Sequence, residues 1–324
     1  MRVVRIAVTG SIATDHLMSF AGRFAEQLLP DQLARLSVSF LVDDLEVRRG
    51  GVAANIAFGM GVLGGRPLLV GAVGADFADY RAWLERHGVE TAGVRISELR
   101  HTARFVCTTD ADLNQIASFY PGAMSEAREI ELAALGPVDL VVVSPNDPLA
   151  MVRHTQECRD RGIAFVADPS QQLSSLDGDQ VRTLIEGAEL LVTNAYEAAM
   201  VEHKTGWSAD DVLKRVAVRI TTHGVDGAVI SRPGEADVTV PVVAARSVAD
   251  PTGVGDAFRA GLLSARSWGL DWDRSAQVGS LLATLCLETT GTQEYWFDRD
   301  DGLARLTEAY DAESAAEIAP HLPA

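Results

Sequence analysis

The 324-residue sequence has only two lysines, Lys204 and Lys214, among its 28 basic residues. The Gly-Lys-Ser/Thr motif of P-loop ATPases is therefore absent, so any phosphate site must use arginine, backbone N–H groups and a metal ion. The 45 acidic residues give a formal net charge of −17 at pH 7. Such a charge opposes binding to nucleic acid and to anionic membranes. We expect neither as a partner.

Cysteine and long apolar runs are also scarce. Cys107, Cys158 and Cys286 are widely spaced and lie among apolar residues, which predicts buried reduced thiols rather than disulfides or a metal site. No stretch reaches the roughly 20 apolar residues that cross a bilayer. The apolar run at the N-terminus is too short for a signal peptide and is typical of a strand. We therefore expect a cytoplasmic protein.

Short apolar runs alternate with segments of helical periodicity along most of the chain. The runs are typical of strands buried on both faces of a parallel sheet, with the periodic segments as covering helices. The predicted strands cover residues 3–9, 68–73, 140–144, 163–167, 190–193 and 219–222. The predicted helices cover residues 53–63, 77–87, 149–161, 195–203, 256–268 and 274–288.

Segments 37–42, 103–109 and 116–120 interrupt this alternation. Their β-branched and alternating residues predict antiparallel strands that form a small β layer inserted into the α/β body. A small sheet cannot bury both faces alone, so it should cover a cleft, pair with a second copy, or do both. We predict an α/β core of residues 1–15, 51–99 and 123–324, and a β lid of residues 16–50 and 100–122.

The segment 250–256, Asp-Pro-Thr-Gly-Val-Gly-Asp, joins a glycine-rich turn to a carboxylate at the start of a predicted helix. Gly253 and Gly255 let main-chain N–H groups approach an anion, and the positive end of the helix attracts negative charge. Asp256 is suited to act as the general base for an acceptor hydroxyl. It is equally suited to cap the helix. Alone, the segment does not separate these two interpretations.

Candidate acceptor-binding residues lie near the first strand and the first helix. Gly51 and Asn55 open a helix, where a bare backbone and an amide suit a polyol, although the Asn could be incidental. Asp15 follows the first strand in a predicted loop and could accept hydrogen bonds from two vicinal hydroxyls, or be an ordinary loop residue. The string Gly-x-Gly-x-x-Gly at 59–64 falls inside a predicted helix, so we give a dinucleotide site little weight.

Residues that could bind a nucleotide follow two further predicted strands. Asn194 and Glu197 follow a strand and suit Mg²⁺ together with phosphate, or a helix cap with a favourably placed Glu. Thr222, Gly224 and Gly227 have the composition of a nucleotide loop, or of a hairpin turn.

The order and spacing of these motifs resemble the PfkB, or ribokinase-like, family of sugar and nucleoside kinases over nearly the whole chain. Two signatures carry the resemblance, with Asn194 and Glu197 as the family's Asn-x-x-Glu motif between them. The first signature is matched by Gly50, Gly51, Ala53, Asn55 and Ala57, followed by Gly64 and Gly74. The second is matched by Asp250, Thr252, Gly253, Gly255, Asp256 and Ala257.

The resemblance implies an αβα sandwich with a central, mostly parallel sheet and a small inserted β-sheet lid. It implies Asp256 as base, an anion hole at Gly253 and Gly255, Mg²⁺ bound indirectly near Glu197, and K⁺ as a further cofactor in the loop around Asp250. The acceptor's hydroxyls would bind Asp15, Gly51 and Asn55. ATP would bind Asn194, Thr222, Gly224, Gly227 and Gly255.

A closer resemblance is to the adenosine kinases of actinobacteria, carried by segments 9–18, 39–44, 117–124, 168–172 and 256–261. It implies transfer of phosphate from ATP to adenosine, a homodimer formed through the lid, and Ser11 and Ser39 in the acceptor site. Segment 291–294, Gly-Thr-Gln-Glu, departs from the family's usual small residues, so contacts to the adenine of ATP cannot be assigned there.

The purine-binding residues also have a physical rationale. Phe105 and Phe119 offer faces for stacking a purine, and Gln171 and Gln172 can hydrogen-bond a base edge. These aromatics could instead be lid core or dimer contacts, the role we favour for Phe40. The alternatives to adenosine kinase are a ribose-type or other sugar kinase and a sensor that has lost catalysis.

Overall fold

A nine-stranded sheet forms the centre of the part of the chain that this computed structural model describes, residues 4–28, 35 and 37–324. Its strand order is β13-β12-β11-β10-β9-β8-β1-β4-β5, parallel except at the β11–β12 and β12–β13 pairs. The thirteen strands in the described residues are β1 Ile6–Thr9, β2 Ala13–Ser19, β3 Asp44–Gly50, β4 Leu68–Gly74, β5 Glu90–Ser97, β6 Ala103–Thr109, β7 Gln115–Tyr120, β8 Leu140–Val143, β9 Ala164–Ala167, β10 Leu190–Asn194, β11 Val218–Thr222, β12 Ala228–Ser231 and β13 Val238–Val240.

Helices cover both faces of this sheet, as the predicted sandwich requires. Alternate residues of one strand enter different cores: Val8 packs in the larger hydrophobic cluster with α2, α3 and α8 to α11, and Ala7 in the smaller one with α4 to α7. The helices are α1 Phe24–Gln27, α2 Val52–Val62, α3 Ala78–Arg86, α4 Pro148–Arg161, α5 Gly178–Ile185, α6 Ala195–Thr205, α7 Ala209–Leu213, α8 Val254–Ser267, α9 Trp272–Leu287, α10 Arg299–Ala309 and α11 Ala312–Ile318.

The glycine string at 59–64 lies largely within α2, as predicted, and its role there is helix packing. A Cβ on Gly59 would lie 2.6 Å from the Cβ of Ala260 and 2.6 Å from the hydroxyl of Tyr295. A side chain there would therefore push α2 away from α8, the helix that carries Asp256. The glycine thus fixes the spacing of the two helices that meet at the candidate site.

The second sheet is the predicted lid, with strand order β3-β2-β6-β7. Strands 103–109 and 116–120 are confirmed as β6 and β7. The predicted strand at 37–42 is wrong, because these residues have no regular structure and Phe40 packs its ring 5.1 Å from Phe20 and 4.9 Å from Phe24. Aromatic packing accounts for the apolar pattern there.

Asp15 also differs from its prediction. It lies within the lid strand β2, paired with Arg48 on β3 and Phe105 on β6, rather than in a loop. The pattern Ala-Thr-Asp-His-Leu-Met-Ser has no clean alternation, because one face of the strand points into a polar cleft.

The three cysteines are buried and free, as predicted. Burial raises the pKa of Cys158 and of Cys286 to about 12, so neither is a reactive thiolate near neutral pH. No helix within the described ranges is long and apolar enough to cross a bilayer.

Candidate active site

Asp256 lies in the first turn of α8, three residues after a glycine in the left-handed conformation. Gly253, with φ of 79°, precedes the helix, and the side chain of Asp256 accepts a hydrogen bond of 2.9 Å from Asn55 Nδ2 instead of capping the helix. Desolvation raises the pKa of Asp256, opposed by the charge of Arg259 and by the bond from Asn55. A buried carboxylate with a raised pKa is a stronger proton acceptor than an exposed one.

Arg259, one turn further along α8, forms a buried ion pair with Asp168. Its Nη2 lies 2.7 Å from Asp168 Oδ1 and 4.0 Å from Glu197 Oε2. Burial raises the pKa of Asp168 to about 7, against the lowering effect of the Arg259 charge. A Cβ on Gly255 would come within 2.9 Å of Arg259 Nη1, so the guanidinium borders the glycine turn. The sequence interpretation had not singled out Asp168.

Asn194 and Glu197 form a reciprocal capping box at the start of α6. Asn194 Oδ1 accepts from the backbone N–H of Glu197, and Glu197 Oε2 accepts from that of Asn194, both at 2.8 Å. The Ser170 hydroxyl lies 3.3 Å from Glu197 Oε1 and 2.8 Å from Gln171 Oε1, and its single proton is shared between these two acceptors. The helix-cap interpretation is therefore correct, and the cap also holds the Glu197 carboxylate at the cavity wall.

A single cavity of about 610 Å³ brings most of the candidate residues together. Its lining includes residues of the lid, the glycine turn and the 170–172 loop. Among its walls are the predicted residues Ser11, Asp15, Gly51, Asn55, Phe119, Gln171, Gln172, Asn194, Glu197, Thr222, Gly253, Gly255 and Asp256. Their roles remain predictions, but their convergence is a property of the fold.

Several acceptor-side residues are held by specific bonds. Ser11 Oγ accepts from the backbone N–H of Val52 at 3.0 Å, which ties the first strand to the start of α2. Gln172 Nε2 donates to the carbonyl of Asn146 at 2.6 Å, and Gln171 Oε1 accepts from Ser170. These bonds fix the 170–172 loop at one end of the cavity.

Other predicted residues lie outside the cavity wall within the described part of the chain. Phe105 is half-buried opposite Phe119, and Ser39 is exposed on the lid side. Gly224 and Gly227 form the hairpin turn between the antiparallel strands β11 and β12, with His223 N–H bonded to the carbonyl of Gly227 at 2.8 Å.

Asp250 also lies outside the wall, and its carboxylate is already engaged. It accepts from the N–H groups of Thr252 at 2.9 Å and Gly291 at 3.2 Å, and Arg48 Nη1 lies 3.2 Å away. These three contacts hold the carboxylate beside the glycine turn without using all of its acceptor positions, so the K⁺ site in this loop stays a prediction.

Segment 291–294 meets the acceptor side of the cavity. The Thr292 hydroxyl donates to Asn55 Oδ1 at 3.0 Å, and Gln293 Nε2 donates to the same oxygen at 2.9 Å. Thr292 lines the cavity and Gln293 contacts Asn55 from behind the cavity wall, and the sequence had given neither residue a role in the site. The only signal for them was that this segment departs from the family pattern.

The predicted Mg²⁺ site lies near the carboxylates around Arg259. Asp168, Glu197 and Asp256 place three carboxylates around the Arg259 guanidinium. Asp168 Oδ1 faces Arg259, whereas the buried Oδ2 has no hydrogen-bond partner among the described residues. In the described residues no cluster of three or more His, Cys, Asp or Glu could hold a metal alone. Mg²⁺ commonly binds through one or two carboxylates plus phosphate oxygens, so the donor set fits.

The αβα sandwich, the glycine turn at a helix start and the lidded cavity are the features of a ribokinase-like kinase. Residues 12–298 match the family model described as pfkB family carbohydrate kinase, and the chain belongs to this family. It is accordingly an ATP-dependent phosphotransferase.

Solved structures of a nucleoside kinase from Burkholderia thailandensis are similar to this chain. The complex with inosine has 37% identity and a TM-score of 0.81, covering 94% of this chain and 98% of that one. The complex with ADP and inosine has 38% identity and a TM-score of 0.81, covering 94% and 96%. A nucleoside kinase from Methanocaldococcus jannaschii is 30% identical over 246 residues, 75% of this chain and 80% of that protein.

Proposed function

We propose that this kinase transfers the γ-phosphate of ATP to the 5′-hydroxyl of adenosine, giving AMP and ADP. One observation carries the proposal: the same cavity is bounded by Asp256 at one end and by Phe119 and the Gln171–Gln172 pair elsewhere. A free sugar would need Asp256 as the base, but it would need neither the aromatic face of Phe119 nor the amides of Gln171 and Gln172. The similar nucleoside kinases support a nucleoside as acceptor.

The reaction proceeds at the glycine turn. Asp256 accepts the proton of the 5′-hydroxyl while the new oxygen–phosphorus bond forms and the bond between the γ-phosphorus and the β-phosphate oxygen breaks, releasing ADP. The N–H groups at Gly253 and Gly255 stabilise the charge on the transferred group, with Arg259 adjacent. The hydrogen bond from Asn55 keeps the carboxylate aimed at the acceptor.

ATP would lie on the side of Asn194 and Thr222, with Gly224 and Gly227 in the hairpin turn beyond. Mg²⁺ held near Glu197, mainly through water and phosphate, would neutralise phosphate charge when bound. K⁺ stays a proposal for the 250–256 loop, and no step depends on it.

The acceptor would be held by polar groups around its ribose and by the lid around its base. Asp15 accepts from the ribose hydroxyls, beside the bare backbone of Gly51, and Phe119 stacks on the purine. Ser39 and Phe105 would contact the acceptor only after a movement of the lid, because both lie off the cavity wall.

The decisive experiment compares acceptors in a coupled assay of ADP release. Adenosine, inosine, ribose and fructose 6-phosphate are each supplied with ATP and Mg²⁺, and we expect the highest kcat/KM for adenosine. A clear preference for inosine would refute the adenosine assignment while retaining a purine nucleoside kinase. Turnover of ribose without turnover of adenosine would make the chain a sugar kinase and reject the purine site.

We also propose that two copies pair through the outer face of the lid, the sheet of β2, β3, β6 and β7. The predicted lid of residues 16–50 and 100–122 leaves out the start of β2, which begins at Ala13 and includes Asp15. Alternation along the strands turns Asp15 and Phe119 toward the cavity and sets Val47 and Ile116 on the opposite face. Apolar residues are exposed on that face: Leu45 53%, Val47 55%, Ile116 47% and Tyr120 44%. A single sheet with such a face favours a covering partner.

A further inference from the structure

A chain of hydrogen bonds runs from the 291–294 segment to Asp256, with one fixed polarity. Gln293 Nε2 donates to the hydroxyl of Tyr80 at 2.6 Å and to Asn55 Oδ1 at 2.9 Å. Tyr80 in turn donates to the carbonyl of Gly50 at 2.8 Å. Asn55 Nδ2 donates to Asp256 Oδ2 at 2.9 Å. Because the Tyr80 hydroxyl donates to Gly50, its oxygen is the acceptor that faces Gln293, and Gln293 presents its NH₂ to both Tyr80 and Asn55. Asn55 therefore turns its own NH₂ toward the carboxylate of Asp256.

The amide of Asn55 has two orientations, and its neighbours choose between them. Two donors, Gln293 Nε2 and the Thr292 hydroxyl, meet its oxygen. The reversed orientation would place the Asn55 oxygen against the Asp256 carboxylate and its NH₂ against the NH₂ of Gln293, so both of these contacts would become repulsive. The Thr292 hydroxyl tolerates either orientation, because it can donate to the carbonyl of Arg49 and accept from an amide. Gln293 is 1% exposed and is therefore held in place by packing.

We propose that Gln293 is a positioning residue, which acts through Asn55 to keep an N–H on one oxygen of Asp256 and leave the other oxygen for the acceptor hydroxyl. This inference rests on the proposed role of Asp256 as base. Thr292 shares the task but has a second acceptor for its proton, the carbonyl of Arg49 at 2.9 Å. Gln293, by contrast, uses the two protons of its amide for two acceptors, Asn55 Oδ1 and the Tyr80 hydroxyl.

Two substitutions separate this role from simple packing. Gln293→Met keeps the approximate volume but removes both donors. Gln293→Glu keeps one donor while its carboxyl is protonated and becomes an acceptor when it ionises, which would turn the Asn55 amide over. Gln277→Met is the matched control, because Gln277 is 7% exposed in the core and lies on α9 away from the cavity wall.

The measurement is the pH profile of kcat with saturating nucleoside and ATP. We expect Gln293→Met to lower kcat on the order of tenfold and to shift the acidic limb upward, since the Asn55 amide is then no longer held with its N–H on the charged form of Asp256. Gln293→Glu should show a new loss of activity toward alkaline pH, absent from the wild type. The charged groups that face Asp256 are Arg259 on α8, Glu197 on α6 and Asp168 after β9, and all three are unchanged in both variants.

Controls separate the possible failures. Asp256→Asn is measured first, and if it keeps full turnover the proposed base is wrong and this inference falls with it. If Asp256→Asn is inactive, but both Gln293 variants keep the wild-type pH profile, only the positioning role is refuted. If Gln293→Met loses activity merely in step with a lowered unfolding temperature that Gln277→Met reproduces, the role is structural and the inference is again refuted.

Discussion

At the scale of single residues, the site depends on carboxylates held in different environments. Burial raises the pKa of Asp15 to about 6, against the lowering effect of Arg48, and raises that of Asp168 to about 7. Asp250, bonded to Thr252 and Gly291, has its pKa lowered instead. Similar side chains therefore have different tasks, and only the three-dimensional surroundings assign them.

Acceptor binding should weaken in acid because of Asp15. Its ionised form accepts from ribose hydroxyls, so KM for the nucleoside should rise as pH falls below about 6, and Asp15→Asn should abolish that dependence while raising KM throughout. The measurement is KM against pH from 5 to 8 at saturating ATP. An unchanged pH dependence of KM in Asp15→Asn would assign the effect to another group.

The raised pKa of Asp15 should also affect the pH dependence of the free energy of unfolding. The folded pKa of Asp15, about 6, exceeds its usual 3.8, so the unfolded chain releases this proton first as pH rises. The contribution of Asp15 to stability is therefore present below about pH 4 and lost by about pH 6. Asp15→Asn should raise the free energy of unfolding at pH 8, on the order of 1 kcal/mol after allowing for solvent screening.

At the scale of elements, the sequence predicts those strands and helices in which apolar residues form a continuous run or recur with a regular period. The apolar strands β1, β4, β8, β9, β10 and β11 coincide with predicted strands to within a few residues in the described range. The sequence did not predict β2, β3, β5, β12 and β13. Among these, β3 is largely exposed and β5 is an edge strand with mixed residues. The segment 37–42 has strand-like residues that pack as an aromatic cluster, which no local pattern distinguishes.

The site could be predicted only in part for a similar reason. The glycines and the carboxylate of the 250–256 turn are close together in the sequence. Their combination therefore predicts an anion site with a general base from the sequence alone. Gln293 meets Asn55 across 238 positions, and its contact depends on the path of the loop after α9. Asp168 likewise acquires its partner, Arg259, only through folding.

The packing of α2 on α8 yields a prediction at this scale. Replacing Gly59 by Ala improves helix propensity by up to about 1 kcal/mol, but the new Cβ would lie 2.6 Å from the Cβ of Ala260. Overpacking of this kind costs about 1–3 kcal/mol, so the variant should be less stable and its Asp256 displaced from Asn55. Thermal unfolding and kcat measure both effects, and a more stable variant with unchanged kcat would contradict the packing argument.

At the scale of the whole molecule, the two sheets carry different parts of the candidate site. The nine-stranded sheet supports the glycine turn, Asn194 and Thr222 at the carboxyl ends of its strands or the helices that follow. The lid supplies Asp15 and Phe119 from its inner face and leaves an apolar outer face exposed. A second copy on that outer face would stiffen the sheet that carries both acceptor contacts.

Charge placed on the outer face of the lid should therefore separate the copies. Val47 is 55% exposed in the middle of β3, so Val47→Glu should convert a dimer into a monomer, as measured by light scattering after size-exclusion chromatography. The matched control is Leu99→Glu, because Leu99 is 91% exposed and lies outside the lid strands. Since Val47 is on the face away from Asp15, the monomer should keep the chemistry but bind adenosine more weakly, with KM raised more than kcat is lowered. A wild-type monomer, or a dimer that survives Val47→Glu, would reject the lid as the interface.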